Sequence, residues 1–228
     1  MKRNCLYLLI LSLLILCSCS GAPGRPTAGS ESCLGDIRIL SHHGYYVTSN
    51  IGRNSVQICG EVQNTSEENL KSIRVVATLY DSENKVIGKD DALVRTDILL
   101  PGEKCPFSII EMDLKGDFDS YALEVTSCKQ TTEGPYRDFE FIGVSAHLDD
   151  LSFYHVKGSI KNTGAQDIDS LEVCATFYDR QGKVISSSIS TIGSLNAGET
   201  TSFDELATPR EIGPKIADYA LQTKVLHY

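Results

Sequence analysis

Histidine and aspartate side chains are the groups of this sequence that could hold a metal ion. The sequence contains five histidines, and two of them, His42 and His43, are adjacent. Together with His147 or Asp149–Asp150 they would supply the nitrogen and oxygen ligands of a metal site. Adjacent residues of a β-strand point to opposite faces of the sheet, so this pair would not reach one ion from a strand. We therefore interpret the histidines as surface residues and predict no metal site.

Other arrangements that would support ion binding or catalysis are missing from the sequence. Asp149–Asp150, and Asp167 with Asp169, lack the Asp-x-Asp-x-Asp-Gly density of a calcium loop. The sequence has no Gly-x-Ser-x-Gly elbow and no Gly-rich phosphate loop. We therefore predict a protein that is not an enzyme, with no catalytic residue, no cofactor and no metal.

Cysteines are the other reactive side chains. Five of the eight follow Cys19 in the sequence, namely Cys33, Cys59, Cys105, Cys128 and Cys174. None of these five lies in a Cys-x-x-Cys motif, so neither a zinc ribbon nor a thioredoxin-like site is indicated. Disulfides persist in exported proteins. Because the number is odd, at least one thiol is left over or pairs between chains.

The positions of these cysteines suggest two candidate disulfides. Cys33 precedes the first predicted strand of one repeat and Cys128 follows its last, so a bridge would join the two ends of that unit. Cys59 and Cys105 lie in strands that we expect to be neighbours, with Cys59 facing outward and Cys105 inward. That mismatch counts against a bridge, which needs Cβ atoms about 3.8 Å apart. Cys174 is predicted to be the free thiol.

The first residues of the chain have the pattern of an export signal. A basic start is followed by a short apolar run from Leu6 to Leu16. This run is shorter than the roughly 20 apolar residues that a bilayer span needs. We therefore predict a cleaved signal peptide at residues 1–18.

The residues after the apolar run resemble a bacterial lipobox. Leu16-Cys17-Ser18-Cys19 places a leucine three positions before a cysteine and a small residue directly before it. The resemblance implies a diacylglycerol thioether on Cys19, which would anchor the protein to the cell membrane on the extracytoplasmic side. Two alternatives stay open: cleavage after Ser20 or Ala22, which gives a secreted protein, and an uncleaved anchor helix.

The charge of the chain argues against a nucleic-acid partner. The formal net charge is −9, and removal of Lys2 and Arg3 with the signal peptide makes it −11. Phosphate binding requires clustered lysine and arginine side chains. We therefore expect contact with the membrane through the lipid anchor, and an envelope protein as a partner that the sequence does not identify.

An internal repeat is the most informative pattern in the chain. Three pairs of segments match: Gly60–Thr65 with Gly158–Thr163, Ser72–Asp81 with Ser170–Asp179, and Leu99–Glu103 with Leu195–Glu199. The first two pairs share an offset of 98 residues and the third an offset of 96, so a two-residue indel lies between them. A repeat of this length is typical of a self-sufficient domain rather than of a solenoid.

Alternating apolar residues within each repeat predict β-strands. Ile73, Val75, Ala77 and Leu79 fall on one face of a strand, and the second repeat keeps the same alternation from Leu171. Turn residues follow directly at 81–84 and 179–182. We predict strands near 37–40, 55–63, 71–80, 85–98, 105–113 and 120–127, and the same series again from about 139.

These strands predict an all-β fold with two tandem immunoglobulin-like β-sandwich domains. The predicted organisation is a signal peptide at 1–18, a lipidated flexible stalk at 19–32, domain 1 at 33–128, a linker at 129–136 and domain 2 at 137–228. The stalk is predicted from its glycine, proline and serine content.

Two short motifs resemble the signature of FxLYD domains, which are immunoglobulin-like modules of prokaryotic envelope proteins. They are Ala77-Thr78-Leu79-Tyr80-Asp81 and Ala175-Thr176-Phe177-Tyr178-Asp179. Ala77 and Ala175 stand where the family signature has phenylalanine, and this inward-facing position is still apolar. The resemblance implies the fold and an envelope setting, and it carries no catalytic residues.

The functional expectation is therefore a membrane-anchored lipoprotein with a non-catalytic extracytoplasmic module that binds or spaces something. The alternative is a substrate-recognition or accessory unit of an envelope enzyme or transport system.

Overall fold

Antiparallel β-sheets account for most of the chain in the computed structural model, which describes residues 33–48, 54–207 and 210–226. The predicted signal peptide, the stalk with Cys19, and His227 lie outside the described residues. In the ranges that are described, no helix is long and apolar enough to cross a membrane.

The first repeat forms seven strands after a short 3-10 helix at Cys33–Asp36. The strands are β1 (Ile37–Thr48), β2 (Asn54–Asn64), β3 (Asn69–Tyr80), β4 (Val86–Leu93), β5 (Ile98–Leu99), β6 (Lys104–Glu111) and β7 (Ser120–Thr131).

The second repeat forms six strands in the same order. They are β8 (Phe139–Leu148), β9 (Tyr154–Asn162), β10 (Leu171–Tyr178), β11 (Val184–Ile192), β12 (Thr200–Ala207) and β13 (Asp218–Val225), with a 3-10 helix at Gly213–Lys215 before β13. An isolated bridge between Ile168 and Leu195 takes the place of β5, which pairs Leu70 with Leu99 in the first repeat.

Each repeat folds into two facing antiparallel sheets. The first repeat has a β1-β2-β6 sheet and a β4-β3-β7 sheet to which β5 adds, and the second has β8-β9-β12 and β11-β10-β13. The strand orders correspond one to one, so the sequence repeat is a repeat of one sandwich topology. The predicted all-β sandwich fold is confirmed.

Alternating side chains of β3 and β10 build the two hydrophobic cores. Ile73, Val75, Ala77 and Leu79 are at most 1% exposed and belong to the core of the first sandwich. The residues of β10 from Leu171 to Phe177 at the same alternate positions are fully buried in the second. The inward positions predicted from period-two alternation are therefore correct.

Several boundaries differ from those expected from the sequence. The predicted strand at 85–98 is split into β4 and the two-residue β5. The linker predicted at 129–136 begins inside β7, because Lys129 and Gln130 continue the pairing with Lys71 and Leu70. Both repeats belong to one compact unit that spans the described residues 33–226.

A disulfide joins Cys33 to Cys128 in the first sandwich. Their Cα atoms are 5.6 Å apart, and 95 residues separate them in the sequence. The bridge fixes the 3-10 helix before β1 to the end of β7. This is the pair expected to join the two ends of the first repeat.

No bridge forms between Cys59 and Cys105, which corrects the second candidate disulfide. Both are buried thiols outside any disulfide. Strands β2 and β6 are neighbours, but Cys59 pairs with Ser108 while Cys105 pairs with Val62. Cys105 packs in the hydrophobic core whereas Cys59 lies on the opposite face of the sheet. The two sulfur atoms are therefore apart for two reasons: the cysteines are not paired in the strand register, and their side chains point to opposite faces of the sheet.

Candidate functional site: the junction between the two sandwiches

The Asp of the repeated Tyr-Asp motif organises a hairpin turn in both sandwiches. Asp81 Oδ1 accepts hydrogen bonds from the backbone N–H groups of Glu83 and Lys85. Asp179 Oδ1 accepts the equivalent pair from Gln181 and Lys183. An aspartate that closes its own turn in this way has a structural role.

The other repeated motifs also serve turns. Asn64 is fully buried and its amide donates to the carbonyl oxygens of Glu68 and Leu99, and Asn162 makes the matching bonds in the second repeat. Glu103 Oε2 accepts from Leu100 N–H at the turn before β6. The residues that the two copies share therefore hold the fold, and a functional site must be sought where the copies differ.

The outer face of β10 is the clearest difference between the repeats. On β3 the alternate outer residues are partly exposed, but on β10 Glu172, Cys174 and Thr176 are 9%, 1% and 2% exposed. The cover comes from the first sandwich, because Arg95 lies against Glu172 and Cys174, and β11 of the same sheet packs against β1, β2 and β6. The outer face of the β1-β2-β6 sheet and the outer face of the β11-β10-β13 sheet thus form a buried junction.

Hydrogen bonds cross this junction between named side chains. Tyr178 donates its hydroxyl hydrogen to Glu61 Oε1 at 2.5 Å. Burial raises the pKa of Tyr178, and the bond to Glu61 raises it further, so the phenol stays protonated and keeps donating. The hydroxyl groups of Tyr45 and Ser186 lie 3.1 Å apart. Ser41 Oγ accepts the backbone N–H of Val184 at 3.0 Å.

A charged pair is also enclosed at the junction. Arg95 Nη1 lies 3.9 Å from Glu172 Oε2, and the two side chains are 24% and 11% exposed. Arg95 Nε and Glu172 Oε2 are buried without a hydrogen-bond partner among the described residues. The Sγ atom of Cys174, in the second sandwich, lies 4.0 Å from the backbone carbonyl oxygen of Arg95, in the first.

His42 and His43 point to opposite faces of β1, as expected for adjacent strand residues. His42 Nδ1 lies 2.7 Å from the hydroxyl of Tyr121 within the first sandwich. His43 lies on the junction face, where burial lowers its pKa; the charge of Lys215 lowers it further and that of Asp179 opposes the shift. The two imidazoles therefore cannot share an ion.

His147 and His155 lie on the β8-β9-β12 sheet of the second sandwich. His147 and His155 stack with ring centroids 5.0 Å apart. His155 Nε2 is 3.3 Å from Asp149 Oδ2, and its Nδ1 is 3.6 Å from Asp204 Oδ1. Asp149 mainly closes its own turn by accepting two backbone N–H groups. Over the described ranges no group of three or more ligands is placed to hold a metal ion.

Arg137 joins the segment between the repeats to both sandwiches. Its guanidinium donates to three oxygen atoms, Thr96 Oγ1 at 2.9 Å, Ile98 O at 3.0 Å and Thr223 O at 3.3 Å. It also lies 3.6 Å from an oxygen of Asp97 and 3.5 Å from one of Glu103. A planar guanidinium with several partners in fixed directions restricts movement of one sandwich relative to the other.

A cleft of about 250 Å³ opens beside Arg137. The first sandwich contributes Thr96, Glu103 and Lys104, and the second contributes Phe139, Phe141, Leu221, Gln222 and Thr223. The Gln222 amide donates to the Lys104 carbonyl oxygen at 2.7 Å and fixes the two sides relative to each other. The cleft is a candidate binding site because residues of both repeats form its walls.

The junction residues were not predicted from the sequence. Arg137 belongs to no motif, and Glu61 has a serine, Ser159, at the matching position of the second repeat. The available signal was the difference between the repeats at outward positions. Cys174 stands where the first repeat has Val76, and Cys59 stands where the second has Lys157.

No protein-family model matches the chain, and no curated protein matches it by sequence. Solved structures of Bacteroides glycoside hydrolases show a distant similarity. One is β-glucuronidase 2 of Bacteroides uniformis bound covalently to cyclophellitol-6-carboxylate aziridine, which is 17% identical with a TM-score of 0.27 over 69% of this chain. Another is a putative β-galactosidase from Bacteroides fragilis, 12% identical with a TM-score of 0.27 over 84% of this chain.

The chain spans 22% of the length of the first of these enzymes and 41% of the second. A glycosyl hydrolase family 2 member from Bacteroides cellulosilyticus is 10% identical, with a TM-score of 0.26, and 23% of its length is spanned.

Proposed function

We propose that the protein is a non-catalytic binding module in which two FxLYD-like sandwiches are held as one rigid body and anchored to the cell membrane through Cys19. The observation that carries the proposal is the set of contacts made by Arg137. One side chain from the segment between the repeats engages Thr96 and Ile98 of the first sandwich and Thr223 of the second.

The buried junction adds a second set of contacts between the sandwiches to those of Arg137. An isolated pair of domains joined by a linker moves freely unless the interface is large and well packed. Here Cys59 and Cys174 are at most 1% exposed, although both lie on outer sheet faces. A rigid arrangement would keep the cleft at the junction open and its walls in register. That cleft also favours the alternative, a recognition unit that serves an envelope enzyme or transport system.

Nitrogen-15 relaxation measurements on the mature chain test the rigid arrangement. Both sandwiches should report the same rotational correlation time, that of a single body. Arg137→Ala should let the two times diverge, while Arg180→Ala, which alters an exposed arginine of the β10–β11 turn, should not. Two different short correlation times in the wild-type protein would refute the proposal.

The anchor is tested separately by cell fractionation and mass spectrometry. Cys19→Ser should abolish the diacylglycerol modification and release the protein from the membrane fraction, whereas Cys17→Ser should leave both unchanged. An unmodified Cys19 in membrane-extracted wild-type protein would contradict the lipobox interpretation.

A further inference from the structure

Histidine and aspartate side chains cluster on the β8-β9-β12 sheet of the second sandwich. His147 and His155 are paired directly across β8 and β9, and their rings stack. Asp149 Oδ2 lies 3.3 Å from His155 Nε2, and Asp204 Oδ1 lies 3.6 Å from His155 Nδ1. His147 is exposed, and the side chains of His155 and Asp149 are 21% and 29% exposed. Dissolved ions can therefore reach the cluster.

The contacts of His155 require a positive charge at its ring. A neutral imidazole has one N–H donor and one nitrogen with a lone pair, so it can donate to only one of two carboxylates. Lys157 lies opposite Asp204 in the strand register and balances that carboxylate, so the negative charge that faces Nε2 is that of Asp149. A proton on the ring is one cation that would satisfy this contact. A metal ion held by Nε2 and the Asp149 carboxylate is the other.

The spacing and support of Asp149 and His155 suit a metal ion. Two ligands of a tetrahedral zinc ion, each about 2.1 Å from the metal, lie roughly 3.4 Å apart. Asp149 Oδ2 and His155 Nε2 have nearly this separation, at 3.3 Å. Oδ1 of Asp149 accepts the backbone N–H groups of Leu151 and Phe153, so the turn holds the carboxylate in place. Asp204 beside Nδ1 would fix the tautomer that leaves Nε2 as a ligand, as carboxylates next to metal-bound histidines do.

His147 can supply a third ligand. In the described arrangement its ring is nearly parallel to that of His155, with 15° between the planes, so only two ligand atoms have the spacing given above. His147 is exposed and belongs to β8 at the edge of its sheet. Rotation about its side-chain bonds to another staggered conformer would bring a ring nitrogen toward the ion without a change in the core. The fourth tetrahedral position would then face solvent.

The first repeat has neutral side chains at the matching positions. By strand register, the counterparts of His147, His155 and Asp204 are Tyr45, Gln57 and Ser108. The Tyr45 hydroxyl donates to Gln57 Oε1 at 3.0 Å, and Gln57 Nε2 donates to Ser108 Oγ at 2.9 Å. The sandwich fold therefore does not need ionisable groups at these positions, although the second repeat has three of them.

We propose that Asp149, His155 and His147 bind one divalent transition-metal ion of the zinc type, and that Asp204 positions the His155 ring. Imidazole and carboxylate ligands together suit Zn²⁺, whereas Mg²⁺ and Ca²⁺ prefer oxygen ligands throughout. Because the four residues all belong to the second sandwich, the site does not depend on how the two sandwiches are joined.

Calorimetric titration with zinc chloride and NMR of the imidazole nitrogens test the site. The mature chain carries Cys19→Ser, because a free thiol at that position would itself bind zinc. We expect one equivalent of zinc to bind saturably and to shift the nitrogen-15 signals of His155 Nε2 and of one ring nitrogen of His147. The signals of His42 and His43 should not move, and magnesium chloride should have no effect. If no zinc binds saturably, or if the His155 signals respond to pH alone, a proton occupies the site and the proposal is wrong.

Matched aspartate variants locate the ligands. Asp149→Asn keeps an oxygen that can accept the turn hydrogen bonds but removes the ligand oxygen, so zinc affinity should fall by more than about tenfold. Asp204→Asn should lower it by about tenfold, as the loss of a partner of a metal-bound histidine does. Asp150→Asn makes the same change of charge at the exposed neighbour of Asp149 and should leave the affinity unchanged. Equal losses in Asp149→Asn and Asp150→Asn would indicate unspecific attraction of the ion and refute the site.

The metal site and the rigid module fail separately. A single correlation time without zinc binding would refute the metal site alone. Zinc binding in a chain whose sandwiches tumble independently would refute the rigid module alone.

Discussion

Tyr80 and Tyr178 occupy the same position of the two repeats in different surroundings. Tyr178 bonds to Glu61, a carboxylate that is only 6% exposed. Tyr80 is partly exposed on the outer face of β3. The strand-end tyrosine that both repeats share therefore lies at the junction in the second repeat and not in the first.

This difference predicts unequal effects of the same substitution. Tyr178→Phe leaves the Glu61 carboxylate without its donor and should lower the free energy of unfolding by about 1–3 kcal/mol. Tyr80→Phe removes a hydroxyl from a partly exposed position and should change it by less than about 0.5 kcal/mol. Urea unfolding followed by circular dichroism measures both, and equal effects would show that the Glu61 bond contributes nothing particular.

Buried thiols give a second prediction at this scale. Burial raises the pKa of Cys59 to about 12 and that of Cys105 well above its usual value, so the reactive thiolate is almost absent at pH 8. Iodoacetamide should therefore leave both cysteines unmodified in the folded protein and alkylate them in urea. Peptide mass spectrometry assigns the sites, and rapid alkylation of either thiol in the folded chain would contradict the described burial.

At the scale of strands, the sequence predicts one face of each element and not the other. Ile73, Val75, Ala77 and Leu79 repeat every second residue, and that period determines which side enters the sandwich core. Whether the opposite side meets water or another sheet depends on a partner surface that local periodicity does not encode. For this reason Cys59 was correctly predicted to face outward, although it proves to be buried.

Turn chemistry was equally predictable and the junction was not. Asp81 and Asp179 satisfy backbone N–H groups within four residues, so the signal and its effect are local. Arg137 acts on Thr96 and Ile98, about forty residues earlier in the sequence. A hydrogen bond between residues this far apart in the chain produces no repeating pattern of residue types, so a single sequence does not predict it.

The disulfide provides a prediction at the scale of elements, because only the first sandwich has one. Closing a loop of 95 residues restricts the unfolded chain, and its reduction should lower the stability by about 2–4 kcal/mol. Hydrogen exchange followed by mass spectrometry should show the loss of protection first in β1 and β7. The double variant Cys33→Ser/Cys128→Ser should not respond to reductant, and a response there would indicate a different bridge.

The junction packs two unlike sheet faces together, and no other described segment covers their counterparts, the outer faces of the β4-β3-β7 and β8-β9-β12 sheets. A second copy of the chain could in principle stack on these two free faces through a junction of the same kind. In that junction Lys157 would take the buried place that Cys59 has in the present one, and Arg74 would take the place of Glu172. Arg74 already pairs with Asp91 on its own sheet. Burying a lysine without a partner is strongly unfavourable. The residue types on the two free faces thus oppose continuation of the stack beyond two sandwiches.

The histidines of β1 make the stability of the whole unit depend on pH. Burial lowers the pKa of both His42 and His43 below the usual 6.5, and Lys215 from the second sandwich lowers that of His43 further. Below pH 6.5 the unfolded chain therefore binds protons that the folded chain does not. Stability is fully present above that pH and declines as the pH falls toward the folded-state pKa values. The melting temperature should accordingly decrease between pH 7.5 and pH 5.5.

Comparison of variants separates this effect from the titration of the many carboxylates. The variant His42→Gln/His43→Gln should show a smaller decrease in melting temperature over the same interval, because the unfolded chain then has two fewer sites to protonate. His147→Gln, which alters an exposed histidine on the free sheet, should retain the wild-type decrease. If His43→Gln alone accounts for more of the difference than His42→Gln alone, then the closure of the junction, rather than the packing of β1 in its own sandwich, is what excludes the proton.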